Sequence, residues 1–290
     1  MTGVQTCALP ILMTHPATSQ VEIPPGQALS ICQITTKYLG MEEEVRAYKA
    51  AGMNGISLWL DKIRAYGVVR GAKLLREAGL PVISMVGAPC VLPSDGSGAD
   101  QAFDDLCDVL HDCEILGVPV LGVVPGNRYG RSSDAMESLT VETLSRLGEE
   151  ARKRGVILAL EAVHEPYTDF LNSLADADRV VRAVGLPSVG LLFDAWHLCH
   201  EPDLEKRIEE TASRIVLVHF SDWRDPTRYH DDRLLPGEGV LPLKSILRKL
   251  NSSGYAGFYD VEIFSEDIWR GDQAENLRTC RAFFDSVWGL

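Results

Sequence analysis

The chain has 290 residues, 46% hydrophobic, 24% charged and 7% aromatic, which excludes a disordered or fibrous protein. Its 28 Lys and Arg against 41 Asp and Glu leave a net charge of −13, which repels nucleic-acid phosphates and anionic membrane surfaces. Seven scattered cysteines without a C-x-x-C pair read as free thiols of a reducing, cytoplasmic compartment. No apolar run approaches the ~18–20 residues that a membrane-spanning helix requires.

The apolar stretch Cys7-Ala8-Leu9-Pro10-Ile11-Leu12-Met13 is short and lacks a basic flank, so it does not read as a signal peptide. The opening from Met1 to Ile11 resembles a translated sequencing-adapter leader. Residues 1–28 are therefore set aside as a non-native or disordered leader, and 29–290 are read as one domain. From residue 29 one unit recurs: a short run rich in Val, Ile and Leu, a helical stretch, then Gly or Pro. The apolar runs cover 29–34, 55–60, 81–86, 118–124, 156–161, 189–194, 215–220 and 258–262. Helical periodicity between them is clearest over 42–51, 100–116, 137–153, 205–213 and 274–287. Gly52, Gly79, Gly117, Gly155, Gly185 and Gly254 stand just before the next strand, where a left-handed helix cap belongs.

Strands apolar on both faces and separated by helices imply a parallel sheet buried on both sides. Eight such units predict an α/β fold, the closed (β/α)8 TIM barrel, in which no strand is left at an edge. An open doubly wound sheet would usually carry a Gly-rich turn after its first strand, and Gln33-Ile34-Thr35-Thr36-Lys37 has none. Two long loops, 87–99 and 221–240, follow strands and so fall on the face where barrel active sites sit.

The ends of the last four strands carry the chemistry. The fifth reads Leu158-Ala159-Leu160-Glu161, the sixth Leu192-Phe193-Asp194, the seventh Leu217-Val218-His219, and the eighth Asp260-Val261-Glu262. Parallel strands of a barrel end on one face, so Glu161, Asp194, His219 and Glu262 should converge at its mouth. Three carboxylates packed together repel unless they bind protons or a cation. Three oxygens and one imidazole nitrogen suit a divalent metal: Mn²⁺ first, with Co²⁺, Mg²⁺ and Zn²⁺ as alternatives. Each residue alone could be an ordinary strand-end polar group. The ordered set of four is the specific signal.

The motifs Leu160-Glu161, Phe193-Asp194-Ala195-Trp196-His197, Val218-His219-Phe220-Ser221-Asp222 and Val261-Glu262-Ile263-Phe264 resemble the sugar isomerase/epimerase branch of the xylose isomerase-like TIM barrels. That branch includes inosose isomerases, hydroxypyruvate isomerases and ketose 3-epimerases. The resemblance implies one divalent metal on Glu161, Asp194, His219 and Glu262. It places Glu161 and Glu262 near the sugar carbons that exchange protons, and it assigns His197 and Arg233 to substrate oxygens. The implied chemistry is proton transfer next to a carbonyl through an enediolate. The metal would stabilise charge on oxygen, and Glu161 and Glu262 would act as base and acid.

Weaker candidates surround this set. His164 and Glu165 follow the fifth strand as pocket-lining candidates. Trp59, Trp196 and Trp223 are candidate walls for the apolar face of a sugar, although each also suits core packing. Asn127-Arg128, the one cationic feature after the fourth strand, would favour an acidic or phosphorylated substrate, against the plainer reading of an exposed loop arginine. His200 reads as a helix cap and His230-Asp231-Asp232 as a solvated charge run. Cys90 and Cys199 have no placed base and do not read as nucleophiles.

The leading expectation is a metal-dependent isomerase or epimerase acting on a small-molecule keto sugar, cyclitol (inosose) or related hydroxy-carbonyl compound. A dehydratase of inosose or 3-dehydroshikimate type would use the same site, and a non-catalytic sugar-binding barrel is a third option. A phosphodiesterase of endonuclease IV type would need further ligands on strands two to four, which end instead at Leu60, Val86 and Val124. Neither a nucleic acid nor a membrane is expected as a partner. A homo-oligomer is left open.

Overall fold

The computed structural model describes residues 28–92 and 99–289. The proposed leader, Cys7 and residues 93–98 of the 87–99 loop lie outside the described residues, except that Ala28 already belongs to the first strand. Eight parallel strands close in the order β1-β10-β7-β6-β5-β4-β3-β2. They are β1 (Ala28–Cys32), β2 (Gly55–Trp59), β3 (Val82–Val86), β4 (Val120–Val123), β5 (Ile157–Glu161), β6 (Val189–Asp194), β7 (Ile215–Phe220) and β10 (Phe258–Val261). The remaining two, β8 (Asp222–Trp223) and β9 (Arg233–Leu234), form a small antiparallel ribbon inside the 221–240 loop. The expected (β/α)8 barrel is the observed fold.

Alternation along each strand divides the apolar residues between two layers. Leu29, Ile31, Leu58, Met85, Leu121, Leu158, Leu191, Phe193, Val218 and Tyr259 join the helices in the main core. A second cluster, Val120, Ala159, Leu192 and Leu217, comes from the alternate positions and fills part of the barrel interior. The helices most relevant here are α1 (Met41–Ala50), α2 (Leu60–Tyr66), α3 (Val68–Ala78), α4 (Ala99–Leu116), α5 (Ser133–Lys153), α6 (Leu174–Val184) and α7 (Ala195–Leu198), followed by α8 (Leu204–Thr211) and α9 (Leu243–Ser252). Gly79 and Gly185 end α3 and α6 at φ values of 64° and 66°, as left-handed caps require. The other four expected capping glycines also have positive φ.

Three boundaries differ from the sequence expectation. The first strand stops at Cys32, because residues Gln33–Thr36 turn into a 3-10 helix. There the Gln33 amide accepts from Trp59 N (3.0 Å) and donates to Glu44 (2.6 Å), interactions that local apolarity cannot show. The second connection holds two helices, split at Gly67. The 221–240 loop is folded around two buried aspartates. Asp222 accepts from the backbone N–H of Trp223, Gly237 and Leu241, each at 2.9 Å. Asp232 accepts from Arg228 and from Arg224. The 230–232 run is therefore not uniformly solvated, since Asp232 is 0% exposed.

The barrel tolerates little added volume at its closest strand contacts. A Cβ on Gly190 would stand 2.7 Å from Val216 Cγ1 and 2.8 Å from the carbonyl oxygen of Arg214, which belongs to the backbone and cannot rotate away. Gly190→Ala should destabilise the fold by about 1–3 kcal/mol in urea unfolding, as overpacking does. A variant as stable as the parent would contradict this packing.

Candidate metal and substrate site

Four barrel strands deliver their terminal polar residues to one mouth because they run in parallel and in register. Asp194 of β6 pairs with His219 of β7, and Asp260 of β10 pairs with the same His219. Glu161 ends β5, and Glu262 is the first residue past β10. One ligand atom from each of Glu161, Asp194 and His219 lies within 4.8 Å of the other two. Glu262 falls outside that mutual set. Its Oε2 lies 3.4 Å from His219 Nδ1 and 3.3 Å from Arg233 Nη1. The structure thus gathers three of the four expected ligands and sets Glu262 beside His219 and Arg233, the arginine that also engages Asp194.

Arg233 is the electrostatic centre of the site. It is 3% exposed and reaches inward from β9, donating from Nη1 to Asp194 Oδ2 at 2.9 Å and to the Glu262 carbonyl at 3.2 Å. Its guanidinium also lies over the Trp196 ring, 4.5 Å from the centroid. Burial alone would raise the Asp194 carboxyl, but Arg233, His197 and His219 together bring it down to about 2. Burial, reinforced by Asp194 and Glu262, pushes Glu161 up to about 8. Burial disfavours charge on His219, yet Glu262, Asp260 and Glu161 outweigh it and raise the ring to about 10. Arg233 and the His219 ring are the basic groups set against these carboxylates.

The balance is incomplete in hydrogen bonds. Among the described residues, ten buried side-chain polar atoms lack a partner, and five of them are Glu161 Oε1, both His219 nitrogens and both Asp260 oxygens. Buried polar atoms normally find partners, so orphans concentrated in one place mark a missing one. Asp260 escaped the sequence reading. The signal that could have found it is the two-residue period, which puts Asp260 and Glu262 on the same face of one strand.

His197 and His164 form a directional pair. Arginine only donates, so the His197 Nε2 that stands 3.2 Å from Arg233 Nη2 accepts. His197 then carries its proton on Nδ1 and donates it across 2.8 Å to His164 Nδ1. This order leaves the His164 proton on Nε2. Burial holds His197 down to about 3 and His164 down to about 4, so both are neutral near pH 7.

A cavity of about 410 Å³ opens onto these groups. Trp59, Val86, Gly87, Ala88, Val124, Val163 and Phe264 give it apolar walls, whereas Glu161, Glu262, Arg233, His197, Tyr167, His230 and Asp231 supply polar groups. Trp59 therefore stands where expected, edge-on to Phe264 at 5.6 Å. Trp196 and Trp223 instead stack on each other at 4.6 Å beside His164, outside the lining. Tyr167, unanticipated, spans the mouth and donates to the His230 carbonyl and, at 3.1 Å, to Asp231. Asn127 and Arg128 are pinned to Asp169 of the strand-five loop, the plainer of their two readings. His200 caps no helix: it is exposed and meets Trp223 edge-on at 4.9 Å, while Asp203 precedes α8. Burial raises the thiols of Cys90 and Cys199, which disfavours the thiolate a nucleophile would need. A larger outer groove of about 770 Å³ lies between α6 and α8, lined by Arg179, Arg182, Arg207 and Arg214 and remote from the carboxylates.

Known proteins resemble this chain over most of its length. An inosose isomerase of Bacillus velezensis is 26% identical over 198 residues, spanning 67% of this chain and 70% of its own. Other relatives are named L-ribulose 3-epimerase and 3-dehydro-D-guloside 4-epimerase, while a 3-dehydroshikimate dehydratase matches over only 49% of this chain and 24% of its own length. A crystal structure of a Sinorhizobium meliloti 1021 protein superposes with a TM-score of 0.84 at 30% identity, covering 90% of this chain and 98% of that one. The zinc-containing IolI protein superposes at 0.82 with 21% identity, over 90% of this chain and 97% of its own. The sequence pattern of one family matches residues 45–286, and the chain belongs to that family, the xylose isomerase-like TIM barrels.

Proposed function

We propose that the protein is a divalent-metal-dependent isomerase or epimerase of a keto sugar, cyclitol or related hydroxy-carbonyl compound. The convergence of Glu161, Asp194 and His219 within 4.8 Å, with Glu161 and the neighbouring Glu262 lining the cavity, carries this reading. Relatives named as sugar and inosose isomerases or epimerases support the reaction class. The residues also fit a cation by their own chemistry. They offer hard oxygens and one imidazole, and Glu161 Oε1 and both His219 nitrogens are buried without a hydrogen-bond partner. Glu161, Asp194, His219 and Glu262 would hold the ion, with Mn²⁺ first among the candidates. The zinc in IolI supports a divalent ion without fixing which one. When bound, such an ion stabilises negative charge on a substrate oxygen.

The chain's own groups account for the remaining work. Glu161 and Glu262 both line the cavity and come from strands separated by β6 and β7, so they can face a substrate carbon from two directions. One removes the proton next to the carbonyl and the other returns it. Arg233 and the neutral His197 hold substrate oxygens, while Trp59 and Phe264 cover the substrate's apolar face and exclude water. His164 orients His197 from behind. The cavity of about 410 Å³ accommodates a single small polyol in the presence of ordered water.

Glu262→Gln removes a proton-transfer group with little change of shape. It should lower kcat by about 10²–10⁴-fold while leaving the thermal midpoint near that of the parent. The assay uses a panel of ketoses and inososes with Mn²⁺ in D₂O, read by NMR. Isomerisation or epimerisation incorporates deuterium at the exchanging carbon and keeps the water of the substrate. Turnover in Glu262→Gln near that of the parent would refute the role, and loss of water from the substrate would redirect the reading to a dehydratase.

The histidine pair sets a pH dependence whose sign follows from its neutrality. His164 is neutral in the fold down to about 4, while an unfolded chain protonates it near 6.5. Between these values the unfolded state binds the extra proton, so stability is fully present above the window and lost as pH falls through it. Urea unfolding across this window should show a shallower loss in His164→Asn than in the parent. Parallel curves would show that His164 is not held neutral.

A further inference from the structure

His219 stands between two carboxylates of a single strand. Its Nδ1 faces Glu262 Oε2 at 3.4 Å, and its Nε2 faces Asp260 Oδ2 at 3.5 Å. Asp260 is 0% exposed, pairs in register with His219, and makes no hydrogen bond of ordinary geometry through either oxygen. It does not line the cavity, so it cannot touch a substrate there. A buried carboxylate without a partner is costly, and a core residue would normally be something else. The inference rests on the metal reading above. If Glu161, Asp194, Glu262 and His219 held a cation, the ring nitrogen on the Glu262 side would be the one to serve it, since the opposite nitrogen faces Asp260.

We propose that Asp260 is a positioning residue that accepts the Nε2 proton of His219 and thereby keeps the Nδ1 lone pair aimed at a divalent cation. A small rotation of the ring turns the 3.5 Å approach into a hydrogen bond. Carboxylates placed behind a ligating histidine fix its tautomer and raise its basicity, and their removal typically weakens metal binding by about 10–100-fold.

The test uses the full chain freed of metal with a chelator and titrated with Mn²⁺, in the parent and in Asp260→Asn. The expected result is a dissociation constant about 10–100-fold weaker in the variant, with a metal-free thermal midpoint equal to or above that of the parent. The midpoint separates positioning from a structural role, because a residue that merely held the fold would lower it. Nitrogen NMR of labelled histidine in the Zn²⁺-loaded parent reads the tautomer directly and needs no variant to fold; His219 should carry its proton on Nε2. Equal Mn²⁺ affinity in the variant, a lowered metal-free midpoint, or an unprotonated Nε2 would overturn the role of Asp260 alone. A parent that binds neither Mn²⁺ nor Zn²⁺ would overturn the metal reading and this inference with it.

Discussion

Like charge crowded into a shielded space is the constraint that organises this barrel. Asp194, Asp260 and Glu262 are buried, and Glu161 hides Oε1 from solvent among them. Two unit charges ~4 Å apart repel by about 4 kcal/mol at an effective dielectric near 20, so four uncompensated carboxylates would rival the stability of the whole domain. The long 221–240 loop exists in its observed form to meet that demand. Asp222 and Asp232 fold it, the β8–β9 ribbon stiffens it, and the product is one guanidinium placed against Asp194 and Glu262. A flexible loop could not hold Arg233 at 3% exposure.

The two halves of the barrel divide the work. Strands β5, β6, β7 and β10 supply the carboxylates and the imidazole, whereas β2 and β3 and the loops after β3, β4 and β5 supply Trp59, Val86, Gly87, Ala88, Val124 and Val163. The apolar half still needs a polar support of its own. Glu44, fully buried, takes an ion pair from Lys62 and hydrogen bonds from Thr36 and Gln33, and Gln33 in turn holds the backbone of Trp59. Burial raises the Glu44 carboxyl, and Lys62 opposes it. This network sets the aromatic wall from behind the first two strands, and a bound polyol would meet that wall opposite the charges.

The fold was legible because the strands are short, apolar and followed by helices, six of them with a glycine just before the next strand, all local signals. The four strand-end residues were legible because parallel topology turns four separate chain positions into one neighbourhood. What escaped depends on contacts that no spacing encodes. Asp232 looks like part of an exposed run, yet the arginines at 224 and 228 bury it. His164 looks like a pocket residue, yet it is absent from the lining and meets His197, which lines the cavity, at 2.8 Å. Tyr167 carries no motif and gains its place only because the strand-five loop reaches across to the strand-seven loop. Trp196 and Trp223 are sugar-wall candidates by type, and their mutual stacking withdraws them from the cavity.

The interior beneath the mouth shows why a carboxylate at 260 is tolerable at all. The barrel centre is not uniformly apolar: Val120, Ala159, Leu192 and Leu217 fill it on the side of β4 to β7, while Ser30, Ser57 and Ser84 stand buried on β1, β2 and β3. Ser30 pairs in register with Asp260, and Ser57 meets Ser84 at 2.5 Å. These hydroxyls form a polar column on the β10 side, and hydroxyl dipoles are the smallest groups that can solvate a charge within a packed barrel. Serine in a buried strand reads as a packing choice when met alone. Set beside Asp260 and His219, the three serines extend the polar character of the mouth downward on one side only. The asymmetry of the interior and the asymmetry of the cavity thus have one origin, the placement of charge on the strands that close the barrel.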